Sequence, residues 1–594
     1  MYSPPHSEEA EKGFLGFLIN NPTERLSLLE LIQPSYFFRP SRATIYKAMR
    51  SLHGMNPGFG MADLCDHLKQ NGILEEVGGK SAILDMGNVD ALSSERFAGV
   101  QYAESLISFY ILRNEEQTIL QCLSERKPEV SIEAGGAYRN TPLGWSCLFA
   151  DVFQGIARFA PERGCWFVYD GRRWTYDQSG VIVAGLCQAL ANALLIYYAN
   201  LQDRQRPIGL LQGWQSWQRV HVRRGIIDDA RGRCIVSMVD FDSDPLLFNV
   251  LNGTLDLRTG VLHKHNPGNL ITRLAPVTFD SKVVFDRWNR FISEITEDSD
   301  KAAFLQRAFG YALSGDVSFE CLFILYGSST RNGKGTLTEA VLSVLGNYGA
   351  STNPESLSLN RRTDGNTKAS EDIARLAGIR FSSISEPGKS LVFDAARLKS
   401  YTGGDRINAR FLGENSFDFK PSAKFYINTN HLPTVKDPTL FTSGRICVIP
   451  FERHFSESEQ DRSLKAQFQT PEAQSAILNW LIAGWLDLQE QGLNPPQCVI
   501  DAVNDYQSDS DDFARFIDER LMKDSSSEVR SSSVYQTYLD WCDGVGIRPE
   551  KQTGFKASLS RFGQVVRKRP KDGGNTTTFL LGFRLPFTGG DCIE

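Results

Sequence analysis

Residues 326–336, "YGSSTRNGKGT", are too rich in small residues to form the interior of a helix or a strand. They come after the apolar run "CLFIL" and precede "LTEAVLSVLG", in which Leu337, Ala340, Val341, Val344 and Leu345 share one helical face. A donor-rich turn between a buried strand and a sheet-packing helix is the setting of a phosphate loop. Backbone N–H groups cradle the phosphates, a lysine reaches the β and γ oxygens, and the helix dipole favours the negative charge. That junction belongs to α/β architecture, in which strands and helices alternate. Asn332, Gly333 and Lys334 supply the Gly-Lys core. Two details depart from G-x-x-x-x-G-K-[ST]: Gly327 sits one residue early, and Gly335 comes after the lysine, so the hydroxyl falls on Thr336. The expected nucleotide-binding set is Gly327, Asn332, Gly333, Lys334, Gly335 and Thr336. The competing reading is a glycine-rich surface turn with an incidental lysine.

At 594 residues the chain is too long for one core and should divide into about four domains. Residues 1–120 read as helices, since "AEKGFLGFLI", "ATIYKAMRSLHG" and "MADLCDHLKQNG" carry apolar residues at three-to-four spacing. A polar linker is expected over 121–144. An α+β domain is expected over 145–290, with short strands and turns where "CWFVYDGRRWTYD" and "NVLNGTLDLRTGVLHKHNPG" have hairpin patterns. Alternating strands and helices fill 291–455, a helical segment occupies 456–520, and a small helix-rich unit ends the chain over 521–594. No stretch is read as reaching the ~20 apolar residues of a bilayer span, and the first residues lack a signal-peptide pattern, so a cytoplasmic protein is expected. The 11 cysteines form no CxxC, which speaks against a zinc ribbon or a disulfide framework. His263 and His265 read as a solvated loop. With a net charge of −6, any contact with nucleic acid has to be local.

Together with the segments downstream of it, "LFILYGSSTRNGKGTL" resembles the superfamily 3 helicases, and more closely the motor of phage and plasmid primase–helicases and poxvirus-type replication NTPases. "RFSSISEPGK" is similar to the Walker B strand with Glu386 at its end, "FYINTNHLP" to sensor 1 ending at Asn430, and "TSGRICVIPF" to the strand bearing an arginine finger, Arg445. The resemblance implies an AAA+ motor that hydrolyses ATP with Mg²⁺ and assembles into a homo-oligomeric ring, a hexamer in the family. Lys334 would offset β/γ charge, and Glu386 would polarise the attacking water or hold Mg²⁺ together with Thr336. Asn430 would orient the water, and Arg445 would reach a neighbour's nucleotide. Ser385 stands where many NTPases keep a second carboxylate. Plainer readings remain open at this point: a surface glutamate, a turn-capping asparagine and a strand-edge arginine.

"LKSYTGGDRINARFLGENSFDFKPSAKF" resembles the segment carrying the DNA-contacting hairpin, which implies single-strand contacts by Arg410 and Lys420, with Lys399 and Arg406 in reserve and Glu414 at the tip. The C-terminal unit resembles a winged helix, with Arg561, Arg567, Lys568, Arg569 and Lys571 as a basic patch for duplex DNA. Residues 1–120 resemble the helical N-terminal domain of DnaB-type helicases, which docks a separate primase. The resemblance points to a helicase acting on single-stranded and forked DNA for a phage, plasmid or integrated element. The alternatives are an ATP-switched origin-binding initiator and a primase–helicase. The second lacks zinc-ligand cysteines and a paired-carboxylate motif in this sequence.

Overall fold

A computed structural model describes the chain except residues 1–6, 23–24, 26–27, 30–31, 90–101, 103–105, 107–117, 130–137, 178, 203–208, 360–368, 389–390, 411–415, 548, 570–575 and 587–594. The N-terminal part is helical: α1 (Glu8–Asn20), α2 (Pro40–Met55), α3 (Met61–Gln70) and α4 (Gly79–Val89). Phe14, Leu18, Tyr46, Met49 and Leu64 recur at helical spacing and share one core. Three buried charges are satisfied inside it. Glu11 pairs with Arg42 at 2.9 Å, and Arg25 donates to the carbonyls of Leu18, Ile19, Pro57 and Phe59.

The next part opens with α5 (Pro142–Phe153) and the antiparallel sheet β1 (Ala157–Ala160), β2 (Cys165–Tyr169), β3 (Trp174–Asp177). Its second hairpin turns at Asp170 and Gly171, where φ is +94°, as the Asp-Gly pair predicts. Helices α6 (Val181–Asn200), α7 (Leu210–Ser216) and α8 (Val220–Ala230) come next, then a second antiparallel sheet, β4 (Leu247–Val250), β5 (Gly253–Asp256) and β6 (Val261–His263). The hairpin motifs read over 145–290 leave the helices of this region unlocated. They also overlook α6, which by length and composition is apolar enough to cross a membrane. Half of α6 is buried inside the protein; Leu186, Leu190 and Leu194 lie in the core shared with α5 and the N-terminal helices.

Helices α9 (Asp286–Thr296) and α10 (Ser299–Gly310) lead into a five-stranded sheet of β7 (Leu322–Tyr326), β8 (Gly349–Ser351), β9 (Phe381–Ser385), β12 (Lys424–Thr429) and β13 (Ile446–Pro450). All its pairings are parallel, in the order β13-β7-β12-β9-β8. Both faces are covered, so β7 and β13 are apolar on both sides. Phe323, Leu325, Phe381, Tyr426 and Ile449 pack with α10, α11 (Lys334–Leu345) and α13 (Pro471–Gln491). Leu322, Ile324, Ile384, Phe425 and Val448 pack with α12 (Ala395–Thr402) and α14 (Gln497–Ser510). A small hairpin, β10 (Ile407–Ala409) and β11 (Phe417–Phe419), stands apart from the large sheet.

The C-terminal unit runs α15 (Asp512–Arg520), β14 (Met522–Arg530), α16 (Ser531–Val545), α17 (Gln552–Leu559), β15 (Val565–Lys568) and β16 (Thr577–Arg584). Its sheet has the order β14-β16-β15, and it has its own core around Phe516, Trp541 and Phe555.

Candidate nucleotide site

The register of the parallel sheet builds the site. Thr429 lies opposite Tyr326, and Asn428 lies opposite Ser385. The next residues along β7, β12 and β9 are Gly327, Asn430 and Glu386, so all three leave the sheet at its C-terminal edge. Ligand sites of open parallel sheets lie outside that edge. Backbone bonds hold the exits together: Gly327 N–H donates to the Thr429 carbonyl at 3.3 Å, and Glu386 N–H donates to the Asn428 carbonyl at 2.9 Å.

The loop between β7 and α11 is shaped from within and braced from outside. A Cβ at Gly327 would lie 2.3 Å from Asn332 Nδ2 and 2.6 Å from the Phe451 carbonyl, so only glycine fits. Gly333 has φ +85°, and a Cβ there would meet Ile295 at 2.5 Å. Gly335, by contrast, has open space around it. Asn332 is buried and donates to the Ser329 carbonyl at 2.8 Å. Arg331 adopts φ +58°; its carbonyl accepts from Phe455 N–H at 3.0 Å, and Thr330 pairs with the His454 ring at 2.8 Å. The segment after β13 thus fastens the loop's outer side, a brace that the loop's own sequence does not reveal.

Lys334 opens α11 and is only 5% exposed. Its ammonium donates to Asn430 Oδ1 at 2.8 Å and to the Gly327 carbonyl at 3.4 Å. Burial pushes its pKa down to about 8, while the Glu386 carboxylate pulls it the other way. Glu386 itself is exposed at the mouth, with φ +46°. Thr336 is half-buried on the first turn of α11. Lys334, Asn430 and Glu386 therefore meet at one place.

Two residues that sequence reasoning misses sit behind them. Asn428, buried on β12, donates through Nδ2 to Thr338 Oγ1 at 2.8 Å. Thr338 in turn bonds the Lys334 carbonyl at 3.1 Å. The Asn428 Oδ1 is buried without a hydrogen-bond partner. Asn428 precedes Asn430 by two on the same strand, and Thr338 comes four after Lys334 on the helix. Those periods are the signal that could have found the pair.

Arg445 lies at the opposite edge. It directly precedes Ile446, which is opposite Leu322 at the start of β7. Five strand residues at ~3.3 Å each put it roughly 17 Å from its own phosphate loop. Its guanidinium pairs with Glu320 at 2.5 Å and donates to Thr402 Oγ1 at 2.5 Å. Lys399 is nearby on α12, tied to Asp437 at 3.0 Å and Thr439 at 2.7 Å. Arg406 and Arg410 are exposed, Arg410 at the outer end of β10. Lys420 is exposed at the base of the hairpin, beside Gly404. Arg410 and Lys420 thus occupy different ends of the hairpin, and Glu414 at its tip lies outside the described residues.

In the C-terminal unit Arg567 and Arg569 are exposed. Lys568 on β15 pairs with Glu528 and lies over the Phe579 ring at 5.4 Å. Arg561 pairs with Asp511. Lys571 lies outside the described residues.

Four family models match the chain in turn: "DnaB-like helicase N terminal domain" over 3–100, "D5 N terminal like" over 147–297, "Family of unknown function (DUF5906)" over 325–444, and "Poxvirus D5 protein-like" over 508–585. The frog virus 3 (isolate Goorha) protein named "Putative helicase 022R" is 25% identical over 382 residues, 50% of this chain and 39% of that protein. The Acanthamoeba polyphaga mimivirus protein named "Putative helicase L207/L206" is 24% identical over 441 residues, 66% of this chain and 45% of its own length. "Replicative DNA helicase DnaC" of Bacillus subtilis (strain 168) is 30% identical over 120 residues, 20% of this chain and 24% of that one. These matches span less than half of each relative's length.

Proposed function

We propose that this chain, a member of the D5-type superfamily 3 helicase family with a DnaB-like N-terminal region, is an ATP-driven DNA helicase that works as a homo-oligomeric ring. The observation that carries the reading is the meeting of Lys334, Asn430 and Glu386 at one sheet edge, with Arg445 at the other. Phosphoryl transfer needs positioning and charge neutralisation more than covalent chemistry. Lys334 places a positive charge beside the transferring phosphoryl group, and Asn430 aims it. Glu386, exposed at the mouth, orients the attacking water. The Thr336 hydroxyl and the Glu386 carboxylate suit Mg²⁺, which is usually bound by one or two carboxylates plus phosphates and water. That ion supplies charge neutralisation at the β/γ oxygens.

A head-to-tail ring would bring the Arg445 edge of one subunit against the phosphate edge of the next. The strand order β13-β7-β12-β9-β8 supports this reading, because Arg445 directly precedes β13, the edge strand next to the phosphate-loop strand β7. The helix–strand–helix–helix–strand–strand order of the C-terminal unit supports a winged helix, with Arg567, Lys568 and Arg569 next to its β15–β16 turn. The helical front end would dock a separate primase. Replication of a phage, plasmid or integrated element, within the cytoplasm, is the setting these parts suit.

Lys334→Ala should abolish ATP turnover with the fold intact, a loss of at least ~10²-fold. Glu386→Gln should retain nucleotide binding and block cleavage. ATPase of Lys334→Ala within about threefold of the parent protein would sink the assignment. A second reading, an ATP-switched origin binder, draws on the basic C-terminal unit. ATP-dependent strand displacement on a forked substrate separates the two, since only the helicase displaces.

A further inference from the structure

The guanidinium of Arg445 sits in a socket made by two segments of its own chain. Nη1 donates to Thr402 Oγ1 at 2.5 Å, to the Lys399 carbonyl at 3.4 Å and to the Glu320 carbonyl at 3.5 Å. Nη2 donates to Glu320 Oε2 at 2.5 Å. Three acceptors thus share the two hydrogens of Nη1, and a carboxylate matches the charge.

Each wall of the socket has its own physical origin. Lys399 and Thr402 belong to the last turn of α12, where free carbonyls and the negative end of the helix dipole favour a cation. The Thr402 hydroxyl donates to the Leu398 carbonyl at 2.7 Å, which leaves its oxygen to accept from Arg445. A Cβ at Gly403 would lie 2.7 Å from the Lys399 carbonyl oxygen and 3.7 Å from Nη2, so glycine lets the chain turn away close beside the guanidinium. The opposite wall is Glu320, which holds φ +50° two residues before β7. A glutamate rarely adopts that left-handed conformation, which persists where the surrounding structure enforces it and gathers at switch regions. The Glu320 N–H is tied back to the Val317 carbonyl at 2.9 Å. The Arg445 side chain is only 14% exposed, whereas Glu320 is 45% exposed. The carboxylate is therefore the wall that another chain can reach.

An arginine that stabilises a neighbour's transferring phosphoryl group has to present free donors and an unmatched charge. Here both are committed within the chain. We propose that the socket is an autoinhibitory latch: Glu320 and the end of α12 hold Arg445 in reserve, and the phosphates of a nucleotide on an adjoining subunit draw it out. The latch rests on the reading of Arg445 as an arginine finger. The fraction of chains with Arg445 released then scales the apparent affinity of subunits for one another in ATP. A partly exposed ion pair is weak, so the latch sets a threshold rather than a block.

Steady-state ATPase of the full chain across a range of protein concentrations reads the latch. Glu320→Gln keeps the shape of the side chain without its charge. It should lower the half-saturating protein concentration about two- to fivefold, the range of a partly exposed pair, with the rate at saturating protein no lower than the parent's. Sedimentation with a non-hydrolysable ATP analogue should show the same shift in assembly. In an Arg445→Ala background Glu320→Gln should leave sedimentation unchanged, because the latch acts only through Arg445. A half-saturating concentration that stays the same or rises in Glu320→Gln, while Arg445→Ala is inactive, overturns the latch and leaves the finger standing. A shift that persists without Arg445 overturns it too, since Glu320 would then act on the neighbour directly. ATPase of Arg445→Ala close to the parent's sinks the finger reading itself, and the latch with it.

Discussion

The two edges of the five-stranded sheet are built differently. At the C-terminal edge, Lys334, Asn430 and Glu386 are positioned by bonds within the chain, with Glu386 exposed at the mouth. At the N-terminal edge, Arg445 is equally well held, but by Glu320 and Thr402, and its own chain offers it no phosphate. On the proposed reading, one edge is a nucleotide site and the other a contribution to a neighbour's site. A single sheet would then separate what a subunit does for itself from what it does for the next.

The largest effect that can break this contrast is at Arg445. Arg445→Ala should lower steady-state ATPase by about 10³-fold, the low end for a supplied arginine. Glu320→Gln removes only a partly exposed pair worth less than ~1 kcal/mol and should leave the melting temperature nearly unchanged. If Glu320→Gln and Arg445→Ala lose stability equally while ATPase per folded molecule persists, the pair is architectural and the contrast fails.

A smaller effect is expected behind the phosphate edge. Asn428→Ala removes the bond to Thr338 that backs the Lys334 turn, and should cut kcat about tenfold with little change in KM. Thr338→Ser, which keeps the hydroxyl, should stay near the parent value. A rise in KM alone would mean that Asn428 shapes binding rather than turnover.

The smallest effect is in the pH profile. Lys334 carries its charge below a pKa of about 8 and loses it as pH rises through that value. Bound phosphates favour the charged form, so nucleotide affinity should be level below that pKa and fall by about tenfold between pH ~7 and ~9. Lys334→Arg, charged throughout, should show no such fall. An identical fall in both proteins would place the titration elsewhere.

The phosphate loop is legible in the sequence because its chemistry is local: small residues, one lysine and an amphipathic helix lie within one short stretch. The convergence of Asn430 and Glu386 on it is legible only through resemblance, since the parallel register that aligns three strand ends is not written in any one of them. Asn428 and Thr338 lie 90 positions apart, and Arg445 and Glu320 lie 125 apart. Such pairs exist only once the sheet has formed. Helix α6 escapes a sequence reading for a different reason. "VIVAGLCQALANALLIYYAN" is apolar nearly all round, so it lacks the one-sided stripe by which a surface helix is recognised. The hairpins at Asp170-Gly171 and over 247–263 are readable, because turn residues and alternation sit side by side.

The most direct test mixes Lys334→Ala and Arg445→Ala chains in equal amounts with free subunit exchange. Each alone should be nearly inactive. In random head-to-tail rings, an intact site forms where an arginine-deficient chain supplies the lysine and a lysine-deficient neighbour supplies the arginine, roughly a quarter of interfaces. The account expects ATPase to recover toward that fraction, and strand displacement to recover less. Mixtures that exchange subunits and yet stay as inactive as either variant alone would contradict it, because the two edges of the sheet would then not share one nucleotide.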